Sequence, residues 1–452
     1  MKICTRTFLI CLSLCVGLSA FSQNSKKHPL WDALTTTAAD TATADYYGDN
    51  SLRYEDWVYK KSIKSVELHD QSFMLAQPIL NLESEEKLVL SFDDLDAELK
   101  NFSYTVVQCN ANWEPSELST VEYIDGFAEN SIVDYSYSRN TLQRYIHYNV
   151  VFPNTNMKIT KSGNYLLKIY QDGDQNNLVL TRRFMIFQNK IIVLPHVGAA
   201  SIIEDRNYKQ EIDFTINYSG YQVVNPYADL KVVITQNNRW DNCKVGLKPL
   251  FIKDQELVYD YDDVNVFPGA NEFRHFDIRS LRFKTEYVYK ISVDSLGNHV
   301  ELYNDVKRDY KRYSTESDMN GGFLIKVQES ANAQTDADYC AVSFFLPSDD
   351  QLDQGNLYVF GAFNGFRCNY ENLMHYNPKR FGYECTLYLK QGYYNYEYAF
   401  LKDGAVAADE TVIEGSHYET ENEYTIYVYH RALGTFYDQL IAVKRFNSMK
   451  DY

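Results

Sequence analysis

Residues 361–366 read GAFNGF and residues 392–404 read GYYNYEYAFLKDG. In the longer stretch Tyr394, Tyr396, Tyr398 and Phe400 alternate with Asn395, Glu397 and Ala399, and Asp403-Gly404 closes the run. Successive side chains of a strand point to opposite faces, so this period of two predicts a strand with one face to bury and one to wet, ending in a turn. The same period recurs upstream. Ile212, Phe214, Ile216 and Tyr218 alternate with Asp213, Thr215 and Asn217, and Tyr287, Tyr289, Ile291 and Val293 alternate with Glu286, Lys290 and Ser292. No stretch carries a long i, i+3, i+4, i+7 stripe, which makes the chain all-β. Its 39 Tyr and 25 Phe suit that class, because aromatic rings pack well on a pleated surface.

Turn signals divide the strands into three groups: Asp172-Gly173, Ser219-Gly220, Pro268-Gly269, Gly321-Gly322 and Asp403-Gly404. The expected organisation is three consecutive Ig-like sandwiches over 53–188, 189–320 and 321–452, each of about 130 residues, a comfortable length for a sandwich of ~100 residues with loops. Residues 23–52, rich in Thr, Ala and Asp in their middle, read as a flexible leader.

The chain opens MKICTRTFLICLSLCVGLSAFSQ. Lys2 and Arg6 precede an apolar stretch from Phe8 to Leu18, and Ala20-Phe21-Ser22 offers small residues where a signal peptidase reads, so residues 1–22 are an expected signal peptide cleaved after Ser22. Cys11 follows Ile10 and Cys15 follows Leu14; neither has the small residue that lipidation requires before its acceptor. The formal charge of −17 becomes −19 once Lys2 and Arg6 leave with the signal, which argues against nucleic acid and anionic membrane surfaces as primary partners. Five cysteines remain, Cys109, Cys243, Cys340, Cys368 and Cys385, too odd and sparse a set for a disulfide framework. Cys368 and Cys385 are a possible pair across neighbouring strands in an oxidising compartment, against the plainer reading that cores of this size need no staple.

Catalytic and cofactor signatures are missing. The sequence holds no phosphate-binding or dinucleotide glycine loop, no H-E-x-x-H, no C-x-x-C and no G-x-S-x-G. Asp260-Tyr261-Asp262-Asp263 offers hard oxygens for Ca²⁺ but lacks the turn Gly and closing Glu of a known loop, so a solvated acidic loop is the reading. Gly415-Ser416-His417 sets a hydroxyl beside an imidazole, yet sequence neighbours rarely make a nucleophile–base pair. No catalytic residue, cofactor or metal is expected.

The stretch from Leu357 to Ile413 resembles the family-48 carbohydrate-binding modules and related early-set sandwiches. In that family an indole follows the F-N-x turn and stacks on sugar, and a basic residue sits in the Y-x-F core. Here these positions are Phe366 and Glu397, and the last expected domain has no Trp. The resemblance therefore implies an inherited sandwich that has lost its sugar site.

A second resemblance spans the chain. CNANWEPSELSTVEYIDGF (109–127), SRNTLQRYIHYNVVFPN (138–154), KSGNYLLKIYQDGD (161–174) and TRRFMIFQ (181–188), with the late ENEYTIYVYHRALGTFYDQLIAV, resemble the plug protein family of the type 9 secretion system of Bacteroidetes. What the resemblance implies is a periplasmic plug that caps the periplasmic mouth of a very large outer-membrane translocon barrel. A periplasmic adaptor of the same machinery and a glycan-binding sandwich are the alternatives. Pro115 cannot continue a central ladder, so Trp113 opens a long loop running through Tyr123 to Gly126-Phe127. Such a loop is either tucked onto its own sandwich or offered to a partner, and Trp113, Tyr123 and Phe127 are the candidate partner-binding residues.

Overall fold

The computed structural model describes residues 46–449. The expected signal peptide and all but the last residues of the expected leader lie outside them. Three Ig-like β-sandwiches account for the described residues, among which α-helix is confined to single turns such as Thr120–Tyr123 and Thr411–Glu414.

In the first sandwich, one sheet runs in the order Trp57–Val58, Leu178–Phe187, Gly163–Gln171, Phe102–Cys109, Glu129–Ser131. The facing sheet runs Ile63–Asp70, Leu88–Asp94, Ile146–Phe152, Asp134–Tyr137. Tyr165, Leu167 and Ile169 alternate into the core between them, against Phe92, Tyr148 and Phe184. The intervening Leu166 points the other way, into a second cluster shared with the neighbouring sandwich.

The second sandwich faces the sheet Ile192–Ala199, Lys209–Asn217, Glu256–Tyr259, Phe251–Lys253 against the sheet Lys244–Val245, Leu230–Gln236, Glu423–His430, Gln439–Asn447. Ile212, Phe214 and Ile216 enter its core as their alternation predicts. The boundary expected at 320/321 is crossed here by backbone hydrogen bonds, because Leu230–Gln236 pairs antiparallel with Glu423–His430. The end of the chain thus completes the second sandwich, while the third begins early, with Arg274–Asp277 pairing to Gly392–Lys402. Gly321-Gly322 is a turn inside the third sandwich rather than a junction. Local turn chemistry marks where the chain bends, not which strand it next pairs with.

In the third sandwich Tyr394, Tyr396 and Tyr398 face the core with Phe276 and Phe344. The hydroxyls of Tyr396 and Tyr398 both donate to the Asp305 carboxylate, at 2.7 and 2.6 Å. The face expected to be wet is not: Asn395, Glu397 and Ala399 are buried as well. The GAFNGF turn closes as expected, with Gly365 left-handed at φ +66°, where a Cβ-bearing residue is strained. The run from Tyr287 to Val293 departs from its pattern. Tyr287, Tyr289 and Val293 are exposed and Val288 is the buried residue, because a bulge between Val288 and Lys290 shifts the register of an edge strand.

Candidate functional site

Each pair of sandwiches meets at a buried joint. The first and second share an apolar cluster in which Cys109, Trp113, Leu166 and Met185 pack on Val233, Tyr427, Tyr429 and Leu440. Its polar seam is satisfied by the Tyr429 hydroxyl donating to Asn164 Oδ1 at 2.9 Å, and by Asp438, which takes the Ala111 amide at 2.9 Å and the Lys231 ammonium at 2.8 Å.

The first and third sandwiches meet at Asp93, which accepts from His147 Nδ1 (2.7 Å), the Tyr339 hydroxyl (2.7 Å) and Lys390 Nζ (2.6 Å). Burial alone would raise the Asp93 pKa; Lys390 and His147 outweigh it and hold the carboxyl below its ordinary value.

The second and third meet at Arg239. Its guanidinium contacts Asp241 (2.8 Å), Glu410 (3.0 Å) and Glu397 (3.4 Å) and lies over the rings of Phe360 and Phe366. Phe366 and Glu397 are the two positions where the carbohydrate-binding resemblance breaks. Both are packed under the neighbouring sandwich, so the surface that faces sugar in those modules is here an interior contact. Burial, then the adjacent Glu410, hold the Glu397 pKa well above the carboxylate range, while Asp241 and Glu410 keep Arg239 firmly charged.

Between the joints lies a cavity of about 610 Å³ lined from all three sandwiches, by Trp57, Lys64 and Glu67, by Arg239 and Trp240, and by Phe363 and Lys390. The end of the expected leader closes one side of it. Tyr46 is buried and stacks on Trp57 at 4.1 Å, and the Tyr47 hydroxyl donates to Glu371.

The three candidate residues of the long loop separate. Trp113 is 1% exposed, clamped between the Arg183 guanidinium at 4.5 Å and the edge of Trp240 at 5.3 Å. Tyr123 is 4% exposed and its hydroxyl donates to the Val106 carbonyl at 3.2 Å. Phe127 is 69% exposed, and it follows Gly126, whose φ is +108° and on which a Cβ would lie 2.3 Å from the Asn156 carbonyl oxygen. The loop is thus tucked at its first two aromatics and open at its third.

Sequence reading missed the joint residues Asp93, Lys390 and Arg239. A signal was present: Asp93 is the first acid of LVLSFDD and Lys390 ends TLYLK, charges within apolar strand runs, which demand a buried partner. What it lacked was the identity of that partner.

The remaining motifs are structural. Ser416 Oγ donates to the Tyr208 carbonyl and accepts from the Ala270 amide, not from His417. Asp260, Asp262 and Asp263 are exposed, and among the described residues no three His, Cys, Asp or Glu converge to hold a metal. Cys385 is a buried free thiol directed at the Glu371 carbonyl, so it does not bridge to Cys368; burial pushes its pKa up to about 12. Among the described residues no helix is long and apolar enough to cross a membrane.

Comparison with known proteins adds a family. The family model described as type 9 secretion system plug protein 1st domain matches residues 63–188. A crystal structure of a hypothetical protein from Parabacteroides merdae is 32% identical, covers 88% of this chain and 100% of its own, and superposes with a TM-score of 0.84. No curated protein matches.

Proposed function

This chain belongs to the type 9 secretion system plug protein family, and on that premise we propose that it is a non-enzymatic periplasmic plug, capping the periplasmic mouth of the outer-membrane translocon barrel when the barrel is not engaged with substrate. The observation that carries the reading is the closed set of three joints. Domains joined by linkers move relative to one another by default. Here the first sandwich is fixed to the second through the Trp113 cluster and to the third through Asp93–Lys390, and the second is fixed to the third through Arg239. Rotating any one sandwich breaks two joints. A broad body that does not hinge is what occluding a wide pore requires, and it requires no catalytic chemistry.

The test is deletion of the gene. Secretion should continue while otherwise excluded large antibiotics enter the cell, and the leak should vanish when the barrel is also removed. A block of secretion with no gain in permeability would instead make the protein an adaptor of the machinery and overturn the plug reading.

A further inference from the structure

The outer face of one sheet of the second sandwich departs from the polar surface expected of a solvated sheet. Strand register places Leu194 opposite Thr215, Thr215 opposite Val258, and Val258 opposite Phe251, so one row of side chains crosses all four strands on the side away from the core. Leu194 is 57% exposed and Phe251 60%, and exposed Ile192 begins the adjacent row. The core side of the same strands holds Val193, Phe214 and Leu257, so the sheet carries apolar side chains on its uncovered face as well as on its covered one. A half-buried antiparallel sheet normally alternates apolar inside with polar outside. The strand Phe251–Lys253 is moreover a free edge among the described residues, fully exposed and apolar at two of its three positions.

The border of this face is predominantly acidic. The stretch 254–263 reads DQELVYDYDD, five acids and no base, and all of them but Glu256, which begins the Val258 strand, lie just beyond its two ends. Asp254, Asp260, Asp262 and Asp263 are exposed. Asp213 lies on the same face, opposite His196. Lys253 also lies on it, directly opposite Glu256. Lys209 is engaged by Asp205 at 2.8 Å and Lys248 by the Tyr227 carbonyl.

We propose that this face is the docking surface of the protein for a partner protein whose own contact surface is apolar at its centre and bordered by lysine or arginine. The inference deepens the plug reading and rests on it, since the partner surface is then presented at the periplasmic mouth of the barrel. Charge decides among occupants. A second copy of this chain would bring the 254–263 border against another chain of net negative charge, and an anionic bilayer would be repelled by it. A basic-rimmed protein surface gains from both features: the row supplies apolar burial and the border supplies orientation and association rate.

The experiment measures binding of the full mature chain to purified translocon barrel at low and high salt, for the wild type, Leu194→Ser/Phe251→Ser, Asp262→Lys/Asp263→Lys and Phe127→Ser. The first double variant should weaken binding at least ~10-fold. The charge reversal removes no apolar contact and should weaken binding at low salt while flattening its salt dependence. Both substitute exposed side chains, so thermal unfolding should match the wild type; Phe127→Ser tests the rival contact on the first sandwich. If the wild type binds and the sheet variants bind equally well, the docking face is wrong and the plug reading stands. If only Phe127→Ser loses binding, the contact belongs to the first sandwich and the proposal fails. If the wild type does not bind the barrel, the plug reading fails and this proposal with it. Self-association abolished by Leu194→Ser/Phe251→Ser, or retention on anionic vesicles, would also overturn it by assigning the face to another occupant.

Discussion

Lys390 of the third sandwich and Asp93 of the first lie 2.6 Å apart with both side chains buried, and they are the centre of the contact between the two. An ion pair of this kind adds little over a well-packed apolar pair, but breaking it is costly, because it leaves a charge buried without compensation. Lys390→Met should therefore destabilise the protein by about 3–5 kcal/mol, read from the denaturant midpoint. Adding Asp93→Leu to Lys390→Met should restore part of that loss. If the single substitution costs nothing, the joint does not hold the sandwiches together.

The Arg239 joint predicts an asymmetry. Three carboxylates surround one guanidinium, and burial with the neighbouring Glu410 disfavours the charge on Glu397. Glu397→Gln keeps the shape and removes a charge that the site already resists, so its effect should stay within ~1 kcal/mol. Arg239→Met leaves Asp241 and Glu410 without their cation and should cost about 3–5 kcal/mol. Comparable costs for the two in equilibrium unfolding would show that Glu397 is a full ionic partner. Because Glu397 and Phe366 are covered by this joint, affinity electrophoresis in glycogen should show no retardation.

How much of this was legible from the residues follows the range of the interaction. The strands of 212–218 and 394–400 were readable because alternation is local and the core obeys it. The edge strand after Tyr287 was misread because a bulge between Val288 and Lys290 breaks the alternation, so that Val288 and Ile291 face the core together, and no local residue announces it. The return of Glu423–His430 to pair with Leu230–Gln236 was invisible, since pairing depends on complementarity between segments about 190 residues apart. For the same reason Trp113 was recognisable as an anchor but not as an anchor for Trp240 of the same chain.

Trp113 and Phe127 can be told apart by stability. Trp113→Ala removes a fully buried indole from the cluster joining the first and second sandwiches and should cost about 3–5 kcal/mol. Tyr123→Phe removes one buried hydrogen bond, to the Val106 carbonyl, and should cost about 1 kcal/mol. Phe127→Ala alters an exposed ring and should stay within about 0.5 kcal/mol of the wild type. A large loss for Phe127→Ala would mean that the ring packs within the molecule and is not available to a partner.

Glu67 supplies a pH dependence of known sign. It lines the central cavity beside Lys390 and Asp93, and burial pushes its carboxyl up to about 7; Lys390 opposes the rise and Asp93 adds to it. The unfolded chain ionises Glu67 near its ordinary value of 4.5. Below that pH both states are protonated and the residue costs nothing. Between 4.5 and about 7 the unfolded state gives up its proton while the folded state keeps it, so stability falls as pH rises, and above about 7 the full penalty is present. A shift of this size corresponds to about 3 kcal/mol. Glu67→Gln is near-isosteric and cannot ionise, so denaturant titrations should find it no more stable than wild type well below pH 4.5 and more stable by about 3 kcal/mol at pH 8. Asp93 carries the opposite sign. Its depressed pKa contributes stability above its unfolded value, and that stability is lost as pH falls through the folded one. Acid should therefore weaken the joint in both proteins alike, leaving the difference between wild type and Glu67→Gln confined to the neutral and alkaline side. A difference that is flat with pH would show that Glu67 ionises normally and that the cavity around it is wet.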